Sequence, residues 1–226
     1  MINKPLLDFL AQFVTEHKKE LLEKVLENRT RRLTIVLEDI FQSQNASAIV
    51  RTCECLGIQD LHIIESLSKY GTNLKVLKGS HNWITIVKHK FKKNEGPKAA
   101  FDELKQAGYK ILVTSVLPGS QSIYDINPDE IGKIALVMGN ELRGASDIAQ
   151  QHADALVHIP MVGFTESFNV SVSAAICAST LLNKMRSSEM DWRLTEEEKD
   201  EIRFKWIRSM VRKVDVLERN FLKAHS

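Results

Sequence analysis

The chain has little cysteine. Its 226 residues include three, Cys53, Cys55 and Cys177, and their spacing fits neither a disulfide framework nor, with the seven histidines, a metal site. Residues two positions apart in a helix point to different sides, so Cys53 and Cys55 are not expected to form a pair. We therefore expect three reduced thiols in or near the core and no bound metal.

Long hydrophobic runs and a signal sequence are also missing. No apolar stretch approaches the ~20 residues that span a bilayer, and the segment from Met1 to Pro5 lacks the apolar core and cleavage site of a signal peptide. These absences predict a cytoplasmic protein without a transmembrane segment. With 43% hydrophobic residues, the chain can still bury a sizeable core.

A strong excess of one charge is absent too, because the net charge is only +2. The basic residues are nevertheless clustered at 18–19, 29–32 and 88–93. Such clusters are usually solvated surfaces, and the alternative is contact with phosphates. Neither G-x-G-x-x-G nor G-x-x-x-x-G-K-[ST] occurs, which argues against a dinucleotide fingerprint and a phosphate-binding loop of the nucleotide-hydrolase type.

Strand-like and helix-like segments alternate through the middle of the chain. The predicted strands lie at 33–37, 61–64, 83–87, 111–114, 134–138 and 155–159. The predicted helices lie at 45–56, about 98–106, 146–151 and 171–185, with loops at 71–82 and 118–129. This alternation predicts an α/β fold, a mostly parallel sheet with helices on both faces.

Helical segments flank this region. Residues Leu6 to Leu26 predict one or two amphipathic helices, and Thr195–Glu198 forms a capping signature at the start of a helical tail. One apolar stripe is expected along that tail, from Trp206, Ile207, Met210, Val211, Val214 and Leu217. We expect an N-terminal helical extension (1–30), a main domain (31–187) and a C-terminal helical extension (188–226).

Three separated stretches, 45–51, 138–144 and 159–171, carry the residues that suggest chemistry. Asn45 begins a predicted helix of small residues, where it could serve as an N-cap or in a site. Arg51 stands in an otherwise apolar stretch of that helix, so it should need an acidic partner or a phosphate.

The other two stretches follow predicted strands. Gly139 and Glu141 come directly after a buried strand, at the edge where open α/β sheets bind ligands, although a simple turn is the alternative. Ser167, Asn169 and Ser171 supply hydroxyl and amide groups at the start of the next helix. One of the three would suffice as a cap, so the others suggest ligand contacts.

Four motifs in order carry a resemblance to a known family. They are N-x-S-A-I-x-R-T at 45–52, G-S-H-x-W at 79–83, G-x-E-x-x-G at 139–144 and I-P-M-x-G-x-x-x-S-x-N-V-S-V at 159–172. Over about residues 33–185 the chain resembles the SpoU/TrmH family of ribose 2'-O-methyltransferases within the SPOUT superfamily. The resemblance implies S-adenosyl-L-methionine as cofactor, a deep C-terminal trefoil knot (the SPOUT fold) and a homodimer.

The resemblance also assigns residues. It implies catalytic roles for Arg51, Asn45, Glu141, Ser167 and Asn169. It implies that the cofactor is bound by Thr114, Ser115, Gly139, Ile159, Met161, Ser167 and Phe168. From the basic clusters and from a presumed common face of the tail helix, we expect RNA contacts from Arg29, Arg31, Arg32, Arg51, Lys205, Arg208 and Arg212.

Arg51 is an unusual candidate for a general base, because free arginine keeps its proton far above neutral pH. It could act as a base after giving its proton to an RNA phosphate. Alternatively, it could remain a cation that stabilises the developing ribose alkoxide and binds the phosphate. We favour the second role on physical grounds.

The resemblance further suggests the class of RNA. Several family members that modify rRNA carry a separate N-terminal RNA-binding domain, which has no counterpart before the first predicted strand here. Together with the flanking helices, this favours tRNA and methylation of a D-loop guanosine. Methylation of rRNA or of another tRNA position is the alternative, because Phe41–Gln44 and the segment Gly139–Gly144 depart from the pattern of the tRNA enzymes.

Overall fold

A seven-stranded sheet forms the centre of the computed structural model, which describes residues 3–66, 71, 77, 79–89 and 97–225. The strands are β1 (Leu33–Glu38), β2 (Asp60–Ile64), β3 (Thr85–His89), β4 (Tyr109–Thr114), β5 (Gln121–Ser122), β6 (Lys133–Met138) and β7 (Ala155–His158). Their order is β3-β2-β1-β6-β4-β7-β5, and each neighbouring pair is parallel. The predicted α/β class with a parallel sheet is confirmed.

Helices separate and flank the strands. They are α1 (Lys4–Ala11), α2 (Glu16–Leu26), α3 (Ser43–Leu56), α4 (Lys98–Gln106), α5 (Pro128–Ile131), α6 (Asp147–His152), α7 (Val170–Ser187), α8 (Glu196–Met210) and α9 (Val214–Ala224). The chain forms two compact units, one from Thr30–Trp192 and one from Met1–Arg29 with Arg193–Ser226. Residues 90–93 of the basic cluster and residues 72–76 and 78 of the 71–82 loop lie outside the described residues.

The sheet is apolar on both sides, as a sheet covered by helices requires. Along β1, Leu33, Ile35 and Leu37 join a core that includes residues of α3 and α7. Val36 points the other way, into a second core that includes residues of α4 and α6. The near-continuous apolar runs of β1 and β6 therefore reflect burial on both faces rather than on one.

The order of the strands places a crevice at one edge of the sheet. From β1 the chain proceeds outward through β2 and β3, and then crosses to β4 on the far side of β6. The direction of winding thus reverses beside β1, and parallel strands bring the carboxyl ends of β4, β6 and β7 together. Ligands of open α/β sheets bind at such a reversal.

Two short elements differ from the sequence-based expectation. The stretch 118–129 was expected to be a loop, yet it contains β5 and the start of α5, which are too short to produce a readable pattern. The third strand begins at Thr85 rather than at Trp83, because Trp83 closes a 3-10 turn and donates its backbone N–H to Ser80 O at 3.1 Å.

In the terminal unit, ion pairs join helices that are distant in sequence. Arg203 of α8 donates to both carboxylate oxygens of Glu23 of α2, at 2.6 and 2.8 Å. Lys199 of α8 lies 2.7 Å from a carboxylate oxygen of Glu27. The capping signature is confirmed, since Thr195 accepts from the N–H of Glu198 and Glu198 accepts from the N–H of Thr195.

The single apolar stripe predicted for the tail is wrong, because the tail consists of two helices. Helix α8 ends at Met210, and Lys213 adopts a left-handed conformation (φ 54°) before α9 begins. Across the break, Arg208 donates to both oxygens of Glu218 at 2.5 and 2.8 Å. A short link can preserve helical spacing on both sides, so periodicity alone cannot reveal the break.

The cysteines divide by position. Cys53 and Cys177 are buried, whereas Cys55 is exposed, so the expectation of a core or near-core position is wrong for Cys55. It faces away from the core because it lies two residues beyond Cys53 on α3.

No described helix is both long and apolar enough to cross a membrane.

Candidate active site

A cavity of about 590 Å³ opens at the carboxyl ends of β4, β6 and β7. Thr114 and Ser115 line it where β4 ends, and Gly139 lines it directly after β6. Ile159 follows β7, and Asn169 stands at the N-terminus of α7. The volume and the mixture of apolar and polar lining groups are those of a small-molecule site.

The loop from Gly139 to Ser146 forms one wall of this cavity. A Cβ atom at Gly139 would lie 2.2 Å from Ala145 N and 2.3 Å from Gly144 C, so only glycine allows the two ends of the loop to approach. Asn140 and Gly144 exchange two backbone hydrogen bonds of 2.9 Å. The loop is therefore a tight, internally bonded structure rather than a simple strand-ending turn.

A chain of side-chain hydrogen bonds joins the three stretches. Asn45 of α3 donates from Nδ2 to Glu141 Oε1 at 3.0 Å, and Asn169 Nδ2 donates to Asn45 Oδ1 at 3.1 Å. Asn169 in turn caps α7, since its Oδ1 accepts from the N–H of Ser171 at 2.9 Å. Residues separated by up to 124 positions thus share one network.

Glu141 is held as an anion by this network. Its carboxylate accepts from the backbone N–H groups of Phe41 at 3.1 Å and Gln42 at 3.3 Å as well as from Asn45. Burial favours the neutral acid, but the bond from Asn45 and the backbone bonds outweigh it and lower the pKa of Glu141 from its ordinary 4.5. The carboxylate is therefore ionised at neutral pH.

Asn45 does not act as the N-cap of α3. The helix begins at Ser43 with Gln42 in the cap position, so Asn45 already lies in the first turn. Its side chain is buried and is used entirely toward Gln42, Glu141 and Asn169. The reading of Asn45 as a site residue is thus the one its geometry supports.

The structure brings together nearly all the site residues expected in the middle domain. Those expected to bind the cofactor all line the cavity: Thr114, Ser115, Gly139, Ile159, Met161, Ser167 and Phe168. Asn45, Glu141 and Asn169 line it as well. Residues of the three stretches 45–51, 138–144 and 159–171 therefore converge on one pocket.

Arg51 is the exception. Its side chain is exposed on α3 and does not line the cavity. The expectation that it is embedded in apolar surroundings is wrong, because the apolar residues around it in the sequence face the other side of the helix. Arg51 lies six residues beyond Asn45, which is about 9 Å along the helix axis.

The basic residues expected to contact RNA near the first strand are mostly engaged elsewhere. Arg29 is only 1% exposed and its guanidinium lies 5.2 Å from the centre of the Trp206 ring, so an RNA contact by Arg29 is contradicted. Arg31 forms an ion pair with Asp60 at 3.0 Å. Arg32 donates from Nε to the carbonyl of Asp191 at 3.0 Å and remains partly exposed.

The basic residues of the tail do not share one helix face as expected. Lys205 is exposed on α8, but Arg212 lies in the break after Met210. Arg208 is paired with Glu218 across that break. The common face required a continuous helix, which the turn at 211–213 interrupts.

Other lining residues escaped the sequence reasoning. Ser173 and Cys177 follow Asn169 at intervals of four along α7, and this helical spacing could have revealed them. Burial raises the pKa of the Cys177 thiol to about 12, so it stays protonated. Arg143 and Gln150 also line the cavity, and no sequence signal distinguished them.

Metal chemistry finds no support among the residues that the structure describes. They contain no group of three or more His, Cys, Asp or Glu side chains arranged to hold a metal ion. The polar side chains around the cavity are mostly amides and hydroxyls, with the carboxylate of Glu141, the guanidinium of Arg143 and the imidazole of His158, and such a mixture suits an organic ligand.

Comparison with known proteins identifies relatives with tRNA and rRNA substrates. The chain is 44% identical over 209 residues to a tRNA (guanosine(18)-2'-O)-methyltransferase of Borreliella burgdorferi, covering 92% of this chain and 93% of the relative. It is 35% identical over 160 residues to the 23S rRNA (guanosine-2'-O-)-methyltransferase RlmB of Neisseria meningitidis, covering 70% of this chain and 61% of that protein.

A solved structure and a family model agree with these relatives. The A. aeolicus TrmH/SpoU tRNA modifying enzyme superposes with a TM-score of 0.76 at 31% identity, covering 88% of this chain and 98% of that chain. The model of the SpoU rRNA Methylase family matches residues 32–179, which contain the sheet and the cavity. The chain belongs to the SpoU rRNA methylase family.

Proposed function

We propose that this protein transfers a methyl group from S-adenosyl-L-methionine to the ribose 2'-hydroxyl of guanosine 18 in tRNA. The observation that carries the proposal is the network that joins Asn45, Glu141 and Asn169 beside the cavity. The substrate follows from the 44% identity to a relative of that name, which extends over 92% of this chain.

The cavity fits the proposed cofactor. Its volume of about 590 Å³ suits a nucleoside with an amino-acid tail. Ile159, Met161 and Phe168 offer apolar surface for a base, whereas Thr114 and Ser115 offer hydroxyl groups. Gly139 lines the same cavity, and its missing Cβ lets the backbone of Gly144 and Ala145 close the loop beside it.

The protein's contribution is mainly positioning. When bound, S-adenosyl-L-methionine supplies an electrophilic methyl group. Glu141 fixes the side chain of Asn45, and Asn45 fixes that of Asn169 at the mouth of the cavity. Amides held in this way can orient a ribose hydroxyl for in-line attack, and such orientation can lower the barrier of a bimolecular transfer by several kcal/mol.

For Arg51 we propose the role of a cation that binds an RNA phosphate and, with RNA bound, stabilises the developing alkoxide. Its exposure on α3 leaves the guanidinium accessible to RNA.

The first test is the identity of the product. Wild-type protein incubated with labelled S-adenosyl-L-methionine should methylate a tRNA transcript at the ribose of guanosine 18, and a transcript with adenosine at that position should remain unlabelled. Nuclease mapping of the product identifies the nucleotide. Labelling of 23S rRNA instead of tRNA would establish the alternative substrate, and absence of cofactor binding would overturn the proposal.

The second test concerns the Glu141 network. Glu141→Gln should lower kcat/KM by about 10- to 100-fold, because an amide retains one acceptor oxygen where the carboxylate accepts three N–H groups from Asn45, Phe41 and Gln42. Steady-state kinetics measure the change. Glu130→Gln, at an exposed position on α5, is the matched control and should keep wild-type kinetics.

The third test separates the two roles of Arg51. Arg51→Lys should lower kcat about 10-fold or more without shifting the pH profile, because lysine keeps the charge but loses the planar bidentate donor. Kinetics over a range of pH provide the measurement. If Arg51 acted as the base, the profile of the lysine variant would move to lower pH, since the pKa of lysine is about two units lower.

We further propose the trefoil knot and the homodimer that the family resemblance implies. Exposed apolar side chains beside the cavity support association. In the single chain, Val162 and Phe164 are fully exposed and Leu142 is 87% exposed. Exposed apolar surface of this kind is unfavourable in water, and packing against a second copy of the chain would bury it.

Association can be tested at one of these side chains. Phe164→Asp should convert a dimer into a monomer of 25.7 kDa, because a carboxylate in an apolar interface loses its hydration. Sedimentation equilibrium gives the mass. Glu166→Gln in the same loop should leave the mass unchanged, and a monomeric wild-type protein would contradict the proposal.

A further inference from the structure

Glu38, the last residue of β1, and Asp39, which follows the strand, hold the two ends of the loop from Gly139 to Ser146. Glu38 is buried, and its carboxylate accepts from Ser146 Oγ at 2.6 Å and from Ser146 N at 2.9 Å. The carbonyl of Asp39 accepts from Asn140 Nδ2 at 2.7 Å. The wall of the cavity is therefore anchored to β1 at its entry and at its exit.

Asp39 adopts a backbone conformation that ordinary residues avoid. Its φ is 51°, and Lys213 is the other described non-glycine residue with positive φ. Aspartate tolerates the left-handed region better than most residues, although it is still disfavoured there. Two bonds from the end of β2 hold it: Asp39 N donates to Ile64 O at 3.0 Å, and Ser66 N donates to Asp39 Oδ1 at 2.7 Å.

This conformation directs the chain that follows. The backbone N–H groups of Phe41 and Gln42, two and three residues after Asp39, donate to the carboxylate of Glu141. The same connection leads into the first turn of α3, from which Asn45 reaches Glu141. A change in the turn at Asp39 would thus separate α3 from the loop that carries Glu141.

We propose that Asp39 is a positioning residue for methyl transfer, whose left-handed backbone sets Glu141 and Asn45 against the cavity. Asp39 does not itself line the cavity, so it acts through Asn140 and through the connection to α3. Strained conformations held by their surroundings are a recurrent feature of functional sites. The inference rests on the proposed function, because its readout is methyl transfer.

The test compares the two left-handed residues. Asp39→Val and Lys213→Val each place a β-branched residue in the left-handed region and should destabilise the fold to a similar degree. We expect only Asp39→Val to raise the Kd for S-adenosyl-L-methionine and to lower kcat, each about tenfold. The KM for tRNA should rise less than the Kd for S-adenosyl-L-methionine, because Arg51 lies about 9 Å along α3 from Asn45 and stays exposed.

Two milder variants complete the series. Asp39→Asn keeps the Oδ1 acceptor and the tolerance for positive φ, so it should retain wild-type cofactor affinity and kcat. Asp39→Ala keeps both backbone contacts but loses the Oδ1 acceptor, and it should be intermediate; it replaces Asp39→Val if that variant does not fold. Calorimetry gives the cofactor affinity, and denaturant unfolding gives the stability.

Three outcomes would overturn the inference. Equal effects of Asp39→Val and Lys213→Val on kinetics would show that Asp39 matters only for stability. Wild-type affinity and kcat in the folded Asp39→Val or Asp39→Ala variant would show that the turn does not position the site. Failure of the wild-type protein to bind S-adenosyl-L-methionine or to methylate RNA would instead remove the proposed function, and this inference with it.

Discussion

The carboxylate of Glu141 connects segments that are far apart in the chain. It accepts hydrogen bonds from Asn45 at the start of α3 and from the backbone N–H groups before that helix. Asn45 in turn accepts a hydrogen bond from Asn169 at the start of α7. Both helices pack on the same face of the sheet. The network therefore fixes the relative positions of two helix N-termini and one loop, and the cavity takes its shape from these three elements.

That network can form only because the backbone comes unusually close to itself after β6. Gly139 has no room for a Cβ, and the loop it opens closes again at Ala145, where Glu38 holds the next residue, Ser146. Parallel strands bring the carboxyl ends of β4, β6 and β7 to the same edge. The strand ends of the sheet thus form the base of the cavity, and the closely packed loops that follow the strands form its sides.

Several basic residues that the sequence alone would leave available to RNA are buried or paired in the structure. Arg29 lies against Trp206, Arg31 pairs with Asp60, and Arg203 and Lys199 join α8 to acidic residues near α2. These cations stabilise the fold, and pairing lowers their availability for phosphates. An RNA surface must therefore depend on cations that stay exposed, and sequence clusters alone cannot identify those.

The sequence by itself determined the alternation of strands and helices and the parallel sheet, because hydrophobic period is a local signal. It indicated the residues of the cavity through the four motifs that resemble the family. Tertiary structure alone decided that Asn45 serves the network rather than a helix cap, that Arg29 is buried and that the tail breaks at Lys213. These outcomes depend on partners 96 or more residues away in the chain or on a turn without a periodic signature, so no local pattern could reveal them.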